Sequence, residues 1–279
     1  MPSSNKQIRL HFDHSSASYR SAASVQKTAA RICCSRIPGK QFSRILEMGA
    51  GGGLLTEICL QRLNPWEIYV ALDISPGMLR LISADRVCLV QADGESPPFK
   101  PGSFSLLISS SAMQWYEQGP HSVLNNIRLL KENGFFSLAV FVRGTFRQLE
   151  HVSSLTGFGS VYPLPGAGEY IESFRAAGLD PQWSVQEYTV YCSSVSAFLK
   201  SHKKTGATYT GSQTRFGKKT YRNFCRLYEE FYGESGRIPA SYKILYLWGY
   251  TGKYHKAGSR PRSRISSRSS PRDLPFLVR

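Results

Sequence analysis

A glycine-rich loop, Gly49-Ala50-Gly51-Gly52-Gly53, is the part of this sequence best suited to holding a ligand. Glycine lets the backbone turn sharply and approach a bound molecule closely. The loop follows an apolar run at residues 44–48 and leads into a helical stretch at residues 54–63. The first turn of such a helix offers unpaired N–H groups and the positive end of the helix dipole. A strand, a glycine turn and a helix in succession predict a site for a nucleotide-like ligand.

Three acidic residues lie where they could bind parts of that ligand. Glu47 precedes the first loop glycine by two positions and can hold a cationic amino group through its neighbours or a water. Asp73 ends the predicted second strand and can accept hydrogen bonds from both ribose hydroxyls, and Asp93 follows the third strand and can accept one from an adenine amino group. Leu54 replaces the third glycine of dinucleotide-binding loops, and Glu47 would repel a pyrophosphate. The alternative is an ordinary tight turn flanked by solvated carboxylates.

These pieces resemble the pattern of class I S-adenosylmethionine (SAM)-dependent methyltransferases, in which an acidic residue and a glycine loop are followed by two later acidic positions. The resemblance implies a Rossmann-like α/β fold and SAM as the cofactor. No metal is expected, because the six cysteines have no CxxC or Cys-His spacing and read as reduced thiols. The residues expected to contact the cofactor are Glu47, Gly49, Ala50, Gly51, Gly53, Asp73, Ile74, Met78, Ala92, Asp93, Gly94 and Ser110.

The elements that must position these residues alternate along the chain. An amphipathic helix is predicted over residues 16–36. The predicted strands are residues 44–48, 67–73, 86–91, 104–109, 135–142, 183–191 and 244–250, and the predicted helices between them are residues 54–63, 76–83, 118–131 and 169–177. This alternation predicts an α/β fold with a seven-stranded, mostly parallel sheet and helices on both faces. One methyltransferase domain is predicted over residues 1–250, with an N-terminal helical lid (1–40) and a helical lid insertion before the last strand (192–242).

Positive charge is concentrated in two places. The chain has 35 Lys and Arg against 19 Asp and Glu, a net charge of +16, which favours acidic partners. No acidic residue occurs between Tyr188 and Tyr228, and residues 251–279 form a basic tail, poor in apolar residues, that is predicted to be disordered. No stretch is apolar enough for a secretion signal or a membrane span, so we expect a cytoplasmic protein without a membrane partner.

Five further stretches resemble the malonyl-acyl-carrier-protein O-methyltransferases of biotin synthesis, the BioC family. They are Phe12-Asp13-His14-Ser15-Ser16-Ala17-Ser18-Tyr19, Ser110-Ser111-Ala112-Met113-Gln114-Trp115, Arg143-Gly144-Thr145-Phe146-Arg147-Gln148-Leu149, Lys204-Thr205-Gly206-Ala207-Thr208 and Pro239-Ala240-Ser241-Tyr242. The resemblance covers residues 8–250. The sequence departs from the family's usual form at Met48 and Ala50 in the loop, at Ser16, where an Ala is common, and in its basic tail.

The resemblance implies transfer of the SAM methyl group to the free carboxylate of a malonyl thioester, carried on acyl-carrier protein or on coenzyme A, which primes pimeloyl synthesis for biotin. A carboxylate is already ionised at neutral pH, so the reaction needs no strong general base. It needs alignment of the reacting atoms, exclusion of water, and cations that hold the carboxylate.

Three residues are candidates for the reaction itself. Tyr19 would close its ring and hydroxyl over the methionine part of SAM, or is a half-buried helix tyrosine. Arg143 follows the fifth strand, near the carboxyl ends of the sheet, and would anchor the substrate carboxylate, or is a solvated loop arginine. His121 would donate a hydrogen bond to the substrate, or is a capping or surface histidine.

The substrate pocket is expected to include Gln114 and Trp115, although Trp115 would fit the core equally well. A basic group is expected to dock the acidic carrier protein, or is simply a solvated face. Its members are Lys200, Lys203, Lys204, Arg215, Lys218 and Lys219. Two alternatives stay open for the whole protein. One is a SAM-dependent methyltransferase for another small acid, a quinone or a lipid, and the other, less favoured, is a methyltransferase-fold protein that binds nucleic acid.

Overall fold

The computed structural model describes residues 4–63, 65–207 and 216–252, so Arg215 and nearly all of the basic tail lie outside the described residues. The strands are β1 (Arg44–Met48), β2 (Ile68–Asp73), β3 (Val87–Gln91), β4 (Phe104–Ser110), β5 (Leu130–Phe141), β6 (Gln182–Cys192) and β7 (Ile238–Tyr250). The helices are α1 (Ser4–Ala22), α2 (Ser24–Ser35), α3 (Leu54–Arg62), α4 (Pro76–Leu79), α5 (Pro120–Ile127), α6 (Arg147–Thr156), α7 (Ala167–Ala176), α8 (Val195–Lys204) and α9 (Lys218–Tyr232), with a short 3₁₀ turn at Met113–Trp115.

All seven strands form one sheet in the order β3-β2-β1-β4-β5-β7-β6. Strands β1 to β5 pair in parallel, and β7 runs antiparallel to both β5 and β6. The sequence prediction of a seven-stranded, mostly parallel sheet is therefore confirmed. The strand order reverses between β1 and β4, and open α/β sheets bind their ligands outside the carboxyl ends of the strands at such a point.

Apolar side chains from the central strands alternate between two buried clusters, one on each face of the sheet. Leu46, Leu72 and Leu107 pack on one face with residues of α5 and α7. Ile45 and Ile108 pack on the other with residues of α2 and α3. Near-continuous apolar strands are typical of parallel sheets whose two faces are both covered by helices.

The structure corrects several predicted element boundaries. Helix α4 ends at Leu79 rather than residue 83. The predicted helix over residues 16–36 is two helices, because Ala23, which is buried, leaves the helical conformation (φ −88°, ψ 46°), and the first of them begins at Ser4. Helix α5 ends at Ile127 rather than residue 131, because β5 already begins at Leu130. Strand β7 begins at Ile238 rather than residue 244, because its first half pairs with β6, so the inserted helical segment ends before residue 238. Helix α6 was not predicted.

The two inserted helices, α8 and α9, are attached to the sheet through a cluster of their own. Phe198 of α8 and Phe224 and Tyr228 of α9 pack with Val152 of α6 and with Ile238 of β7. The Tyr228 hydroxyl also donates to the carbonyl of Pro239 (2.8 Å). The insertion is therefore fixed against β7 and α6.

Helix α1 packs tightly against the end of α8 at Gly206. A Cβ at this position would lie 2.9 Å from Ser15 Oγ and 3.0 Å from Phe12 Cδ1, and Gly206 has a φ of +73°. The Ser18 hydroxyl donates to the carbonyl of Lys204 in the same region (3.0 Å). Glycine in the Lys204-Thr205-Gly206 stretch therefore allows α1 to approach the insertion.

Replacing Gly206 with Ala is expected to lower the free energy of unfolding by about 2–4 kcal/mol, because the new Cβ adds overpacking against α1 to the strain of a left-handed backbone. Gly236→Ala is the matched control: its φ is +72°, but no atom lies within 4 Å of the added Cβ. The control should lose only about 1 kcal/mol of the free energy of unfolding, from the backbone strain. Urea unfolding of both variants measures the difference, and equal losses would contradict the tight contact.

Candidate functional site

The glycine loop joins β1 to α3 at the carboxyl end of the sheet. Gly49, Gly51 and Gly53 have φ values of +67°, +53° and +82°, a conformation that other L-residues rarely adopt. The Gly51 N–H donates to Asp73 Oδ2 (2.7 Å), and the Ala50 N–H donates to the carbonyl of Leu72 (2.9 Å). The loop is therefore tied to the end of β2.

Asp73 is a buried carboxylate that faces the loop. Besides the Gly51 bond, its Oδ1 accepts from the Ser75 N–H (2.8 Å). Each carboxylate oxygen has two lone pairs, so both keep capacity for a ribose hydroxyl. Burial raises the pKa of Asp73 to about 6, with a smaller contribution from the charge of Asp13 and against the opposing effect of the backbone N–H donors. Asp73 is thus mainly ionised at pH 7 and can accept both hydroxyls.

Glu47 is fully buried beneath the loop. Its Oε2 accepts from the Tyr69 hydroxyl (2.6 Å) and from Thr56 Oγ1 (2.8 Å), whereas its Oε1 has no hydrogen-bond partner among the described residues. Burial raises its pKa to about 7. A buried carboxylate oxygen without a partner fits a nearby positive charge, such as the amino group of a methionine moiety. Glu47 does not line the cavity that lies beside the glycine loop. Its interaction with such an amino group would therefore pass through the loop or a water.

The raised pKa of Glu47 predicts that the cofactor-free protein loses stability as pH rises. Its pKa is 4.5 ordinarily and about 7 when folded, so across that interval the folded state retains a proton that the unfolded state releases. The free energy of unfolding then falls by about 3 kcal/mol over that range. The pKa of Asp73, which is raised from 3.8 to about 6, adds a smaller loss of stability at lower pH.

Urea unfolding of the wild type and of Glu47→Gln between about pH 5 and pH 8 measures this dependence. Glu47→Gln keeps an oxygen for Tyr69 and Thr56 but does not titrate, so its stability should fall less steeply and keep only the part due to Asp73. The same slope in both proteins would contradict the assignment.

A small cavity of about 80 Å³ lies beside the loop. Seven of the predicted cofactor residues line it: Gly49, Asp73, Ile74, Met78, Asp93, Gly94 and Ser110. The remaining predicted residues, Glu47, Ala50, Gly51, Gly53 and Ala92, are not among its lining residues. Glu47 and Gly51 instead support the site from beneath, through the contacts described above.

Helix α1 forms one wall of this cavity. Its lining residues Asn5, Ile8 and Phe12 were not among the predicted site residues. The Asn5 side chain donates to Asp93 Oδ2 (2.8 Å), and Asp93 Oδ1 accepts from the Glu95 N–H (2.9 Å). The carboxylate assigned to the adenine end therefore already has a partner on α1.

A larger cavity of about 370 Å³ adjoins the first. Phe12, Tyr19, Ser111 and Trp115 line both cavities. The wall of the larger one is mainly apolar and comes from seven segments far apart in sequence: α1, α2, residues 111–115, residues 141–149, residues 158–164, residues 199–207 and β7. Of the predicted substrate residues, Gln114, Trp115 and Lys203 line it. A methyl acceptor bound there would lie next to a cofactor in the smaller cavity.

Tyr19 lies at the junction of the two cavities, against the glycine loop. Its hydroxyl is 3.7 Å from the position that a Cβ on Gly51 would occupy. Burial, with the charges of Asp73 and Glu47, raises its pKa, so its phenol stays protonated at neutral pH. The role of Tyr19 over the methionine part of a cofactor stays a prediction.

Two predicted reaction residues are not brought to the site. Arg143 pairs through Nη2 with Glu169 Oε1 (2.8 Å), its side chain is 69% exposed, and it does not line the larger cavity, because the chain turns towards the start of α7 after β5. His121 is exposed, because the buried face of α5 is formed by Ser122, Val123, Asn126 and Ile127. The structure therefore supports neither residue as a substrate ligand.

His202 of α8 lines the larger cavity, although it was not among the predicted site residues. Its ring packs edge-on against Phe146, with the ring centroids 4.7 Å apart. Burial lowers its pKa to about 4, so it is neutral at pH 7. The signal was present in the spacing of Val195, Phe198 and His202, which places all three on the inner face of α8.

Five lysines on α8 and α9 belong to the outer surface of the protein. Lys200, Lys204, Lys218 and Lys219 are exposed, as is Lys203, which also reaches the cavity. We call these five residues the lysine surface. None of them forms an ion pair with the residues that the structure describes. The surface thus has positive charge available for an acidic partner.

Within the described ranges, no group of three or more His, Cys, Asp or Glu side chains could hold a metal ion. The same ranges contain no helix of the length and apolarity that crossing a membrane requires. All six cysteines are free thiols.

Comparison with known proteins finds that the chain is similar to methyltransferases. A family model described as a methyltransferase domain matches residues 46–138. A malonyl-[acyl-carrier protein] O-methyltransferase of Geobacter sulfurreducens is 28% identical over 260 residues, which cover 86% of this chain and 97% of the relative. One of the same name from Herminiimonas arsenicoxydans is 25% identical and covers 88% and 96%. These similarities confirm the family resemblance predicted from the motifs.

Solved structures share the fold at low sequence identity. The YcgJ protein of Bacillus subtilis gives a TM-score of 0.54 at 18% identity and covers 84% of this chain and 99% of its own. A SAM-dependent methyltransferase of Thermotoga maritima gives a TM-score of 0.51 at 15% identity and covers 86% and 98%. Both confirm the Rossmann-like methyltransferase fold.

Proposed function

We propose that this chain, which resembles class I SAM-dependent methyltransferases, converts the free carboxylate of a malonyl thioester on acyl-carrier protein to its methyl ester, a step of biotin synthesis in the cytoplasm. The observation that carries the proposal is the similarity to malonyl-[acyl-carrier protein] O-methyltransferases over 86% of the chain, well beyond the glycine loop. A relative named biotin biosynthesis bifunctional protein BioCD, from Bordetella avium, supports the pathway at 29% identity over 73% of this chain, which spans less than half of that protein.

The residues of the smaller cavity fit SAM, which supplies an electrophilic methyl group when bound. Asp73 would accept the ribose hydroxyls, Asp93 would face the adenine end, and Glu47 would offset the positive amino group. Tyr19 would cover the methionine part. The bare backbone of the loop leaves room for the cofactor at Gly49, which lines the cavity.

The larger cavity provides what carboxylate methylation requires. A carboxylate oxygen forms the new bond to the methyl carbon while the bond from that carbon to sulfur breaks, its electron pair stays on sulfur, and no proton moves, so no general base is needed. The apolar wall excludes water, which would otherwise solvate and weaken the nucleophile. Lys203 at the rim is the cation proposed to attract the carboxylate, and neutral His202 can hydrogen-bond to it or to the thioester.

The lysine surface would dock the carrier. Acyl-carrier proteins are acidic, and opposite charges mainly increase the rate of productive encounter. The surface adjoins the cavity through Lys203, so a carrier bound there could deliver its malonyl group directly. Helices α1, α8 and α9 would together act as the lid over both ligands.

Incubation of the purified protein with SAM and malonyl-acyl-carrier protein tests the reaction, with mass spectrometry of the carrier as the readout. We expect one added methyl ester on malonyl carrier, little on succinyl carrier and none on acetyl carrier. Malonyl-coenzyme A as a parallel substrate distinguishes the two carriers. A protein that binds SAM but leaves malonyl carrier unchanged would refute the proposal.

A second candidate is methylation of another small acid, a quinone or a lipid. The mainly apolar wall of the 370 Å³ cavity favours it, since among its lining residues only Lys203 carries a full positive charge at pH 7. A screen of acceptors against the malonyl carrier would decide, and a faster reaction with an uncharged acceptor would favour this alternative.

A further inference from the structure

Asp13, in the first of the family-like stretches, has no role in the chemistry above, yet it makes a specific contact. From the middle of α1 its half-buried carboxylate reaches the start of α4. Its Oδ1 accepts from the Ser75 hydroxyl (2.6 Å) and from the Gly77 N–H (2.9 Å). Both donors belong to the segment that follows the ribose-binding strand β2.

The backbone at Gly77 is shaped for this contact. A Cβ at Gly77 would lie 2.8 Å from Asp13 Oδ1 and 3.3 Å from Asp13 Cα. Any larger residue would push α1 outwards, because the second of these atoms belongs to the backbone. The close approach of α1 to α4 therefore depends on Gly77 as well as on Asp13.

Ser75 relays the contact to the cofactor carboxylate. Its hydroxyl donates to Asp13, and its N–H donates to Asp73 Oδ1 (2.8 Å). The Ser75 hydroxyl also accepts from the Met78 N–H (3.1 Å). Asp13, Ser75 and Asp73 thus form one chain of hydrogen bonds from α1 to the ribose position.

Helix α1 narrows the smaller cavity. With α1 in place the cavity holds about 80 Å³, whereas sites for ligands of cofactor size are about 300 Å³ or larger. Asn5, Ile8, Phe12 and Tyr19 of α1 supply one wall, and the break in helical conformation at Ala23 offers a hinge. An outward swing of α1 about this point would widen the cavity and break the Asp13 contact.

We propose that Asp13 is a positioning residue that latches α1 over the bound cofactor and, through Ser75, keeps Asp73 turned towards the ribose. The inference rests on the proposed use of SAM. It assigns to Asp13 the control of how long the cofactor stays bound, rather than a part in methyl transfer.

The test compares the dissociation rate of S-adenosylhomocysteine (SAH) from the full-length wild type, Asp13→Ala and Asp13→Asn, measured by stopped-flow displacement. Asp13→Ala removes the acceptor of two hydrogen bonds and should raise the dissociation rate about 10-fold or more. Asp13→Asn keeps an oxygen for the Ser75 and Gly77 donors and should stay within about 3-fold of the wild type. Asp85→Ala, at an exposed carboxylate away from both cavities, is the control.

Gly77→Ala gives a second, independent test, since it displaces α1 while leaving Asp13 in the chain. It should raise both the dissociation rate and the KM for SAM about 10-fold, with little change in kcat at saturating SAM. Wild-type rates in folded Asp13→Ala and Gly77→Ala, or equal acceleration in Asp13→Ala and Asp13→Asn, would overturn the inference. A wild type that binds no SAH would instead overturn the proposed function.

Discussion

Replacing Asp73 with Ala is expected to weaken SAH binding by about 100-fold or more, because the ribose loses two hydrogen bonds to a charged acceptor, each contributing about 1.5–3 kcal/mol. The variant also removes the partner of the Gly51 N–H, so the glycine loop loses its tie to β2. Isothermal titration calorimetry with SAH measures the change. Methyl transfer at low SAM should fall by at least the same factor.

Two controls separate binding from folding. Asp85→Ala removes an exposed carboxylate from the same half of the protein and should bind SAH as the wild type does. Asp73→Asn keeps the side-chain volume but turns one of the two acceptor oxygens into a donor, so it should also bind weakly. If folded Asp73→Ala, verified by thermal unfolding, binds SAH with wild-type affinity, the cofactor assignment is wrong.

Reversing charge on the lysine surface is expected to lower kcat/KM for malonyl-acyl-carrier protein by about 30-fold, within the range by which electrostatic steering changes association. The variant is Lys200→Glu, Lys204→Glu and Lys219→Glu together. It leaves Lys203 at the cavity rim unchanged, so the activity towards malonyl-pantetheine, which has no protein carrier, should not change. Steady-state kinetics with both substrates measure the effect, which should shrink as salt is added.

Charge reversal elsewhere provides the matched control. Lys100, Arg128 and Lys131 are exposed and lie by the amino ends of β4 and β5, away from the cavities. Changing these three to Glu alters the net charge by the same amount and should affect the carrier reaction only slightly. Equal loss in both triple variants would mean that overall charge, not the lysine surface, governs the encounter.

The central strands could be predicted closely, because each is a short apolar run that ends in a residue with a separate signal. The predicted bounds of β1 match the structure, and β2 ends at Asp73 as expected. The start of β7 could not be predicted, since Pro239 and Ser241 interrupt its apolar pattern. Those residues are in a strand because β6 pairs with them, and long-range pairing overrides local propensity.

The cofactor half of the site could be predicted for a related reason. Its residues follow directly on parallel strands, so their place at one sheet edge is fixed by topology. The acceptor half is assembled from seven distant segments, and the sequence offered no means of choosing between Arg143, which faces Glu169, and His202, which faces the cavity. Whether a side chain turns inwards depended on the turn after β5 and on the register of α8.

Helix α1 touches Gly77 on one side and Gly206 on the other, so a single rigid element is shared by two chambers. If binding of one ligand draws this helix inwards, the second ligand binds more tightly. Thermodynamic linkage requires each ligand to increase the affinity for the other by the same factor. Prior loading with SAH should therefore increase the affinity for the malonyl carrier by the same factor by which the carrier increases the affinity for SAH.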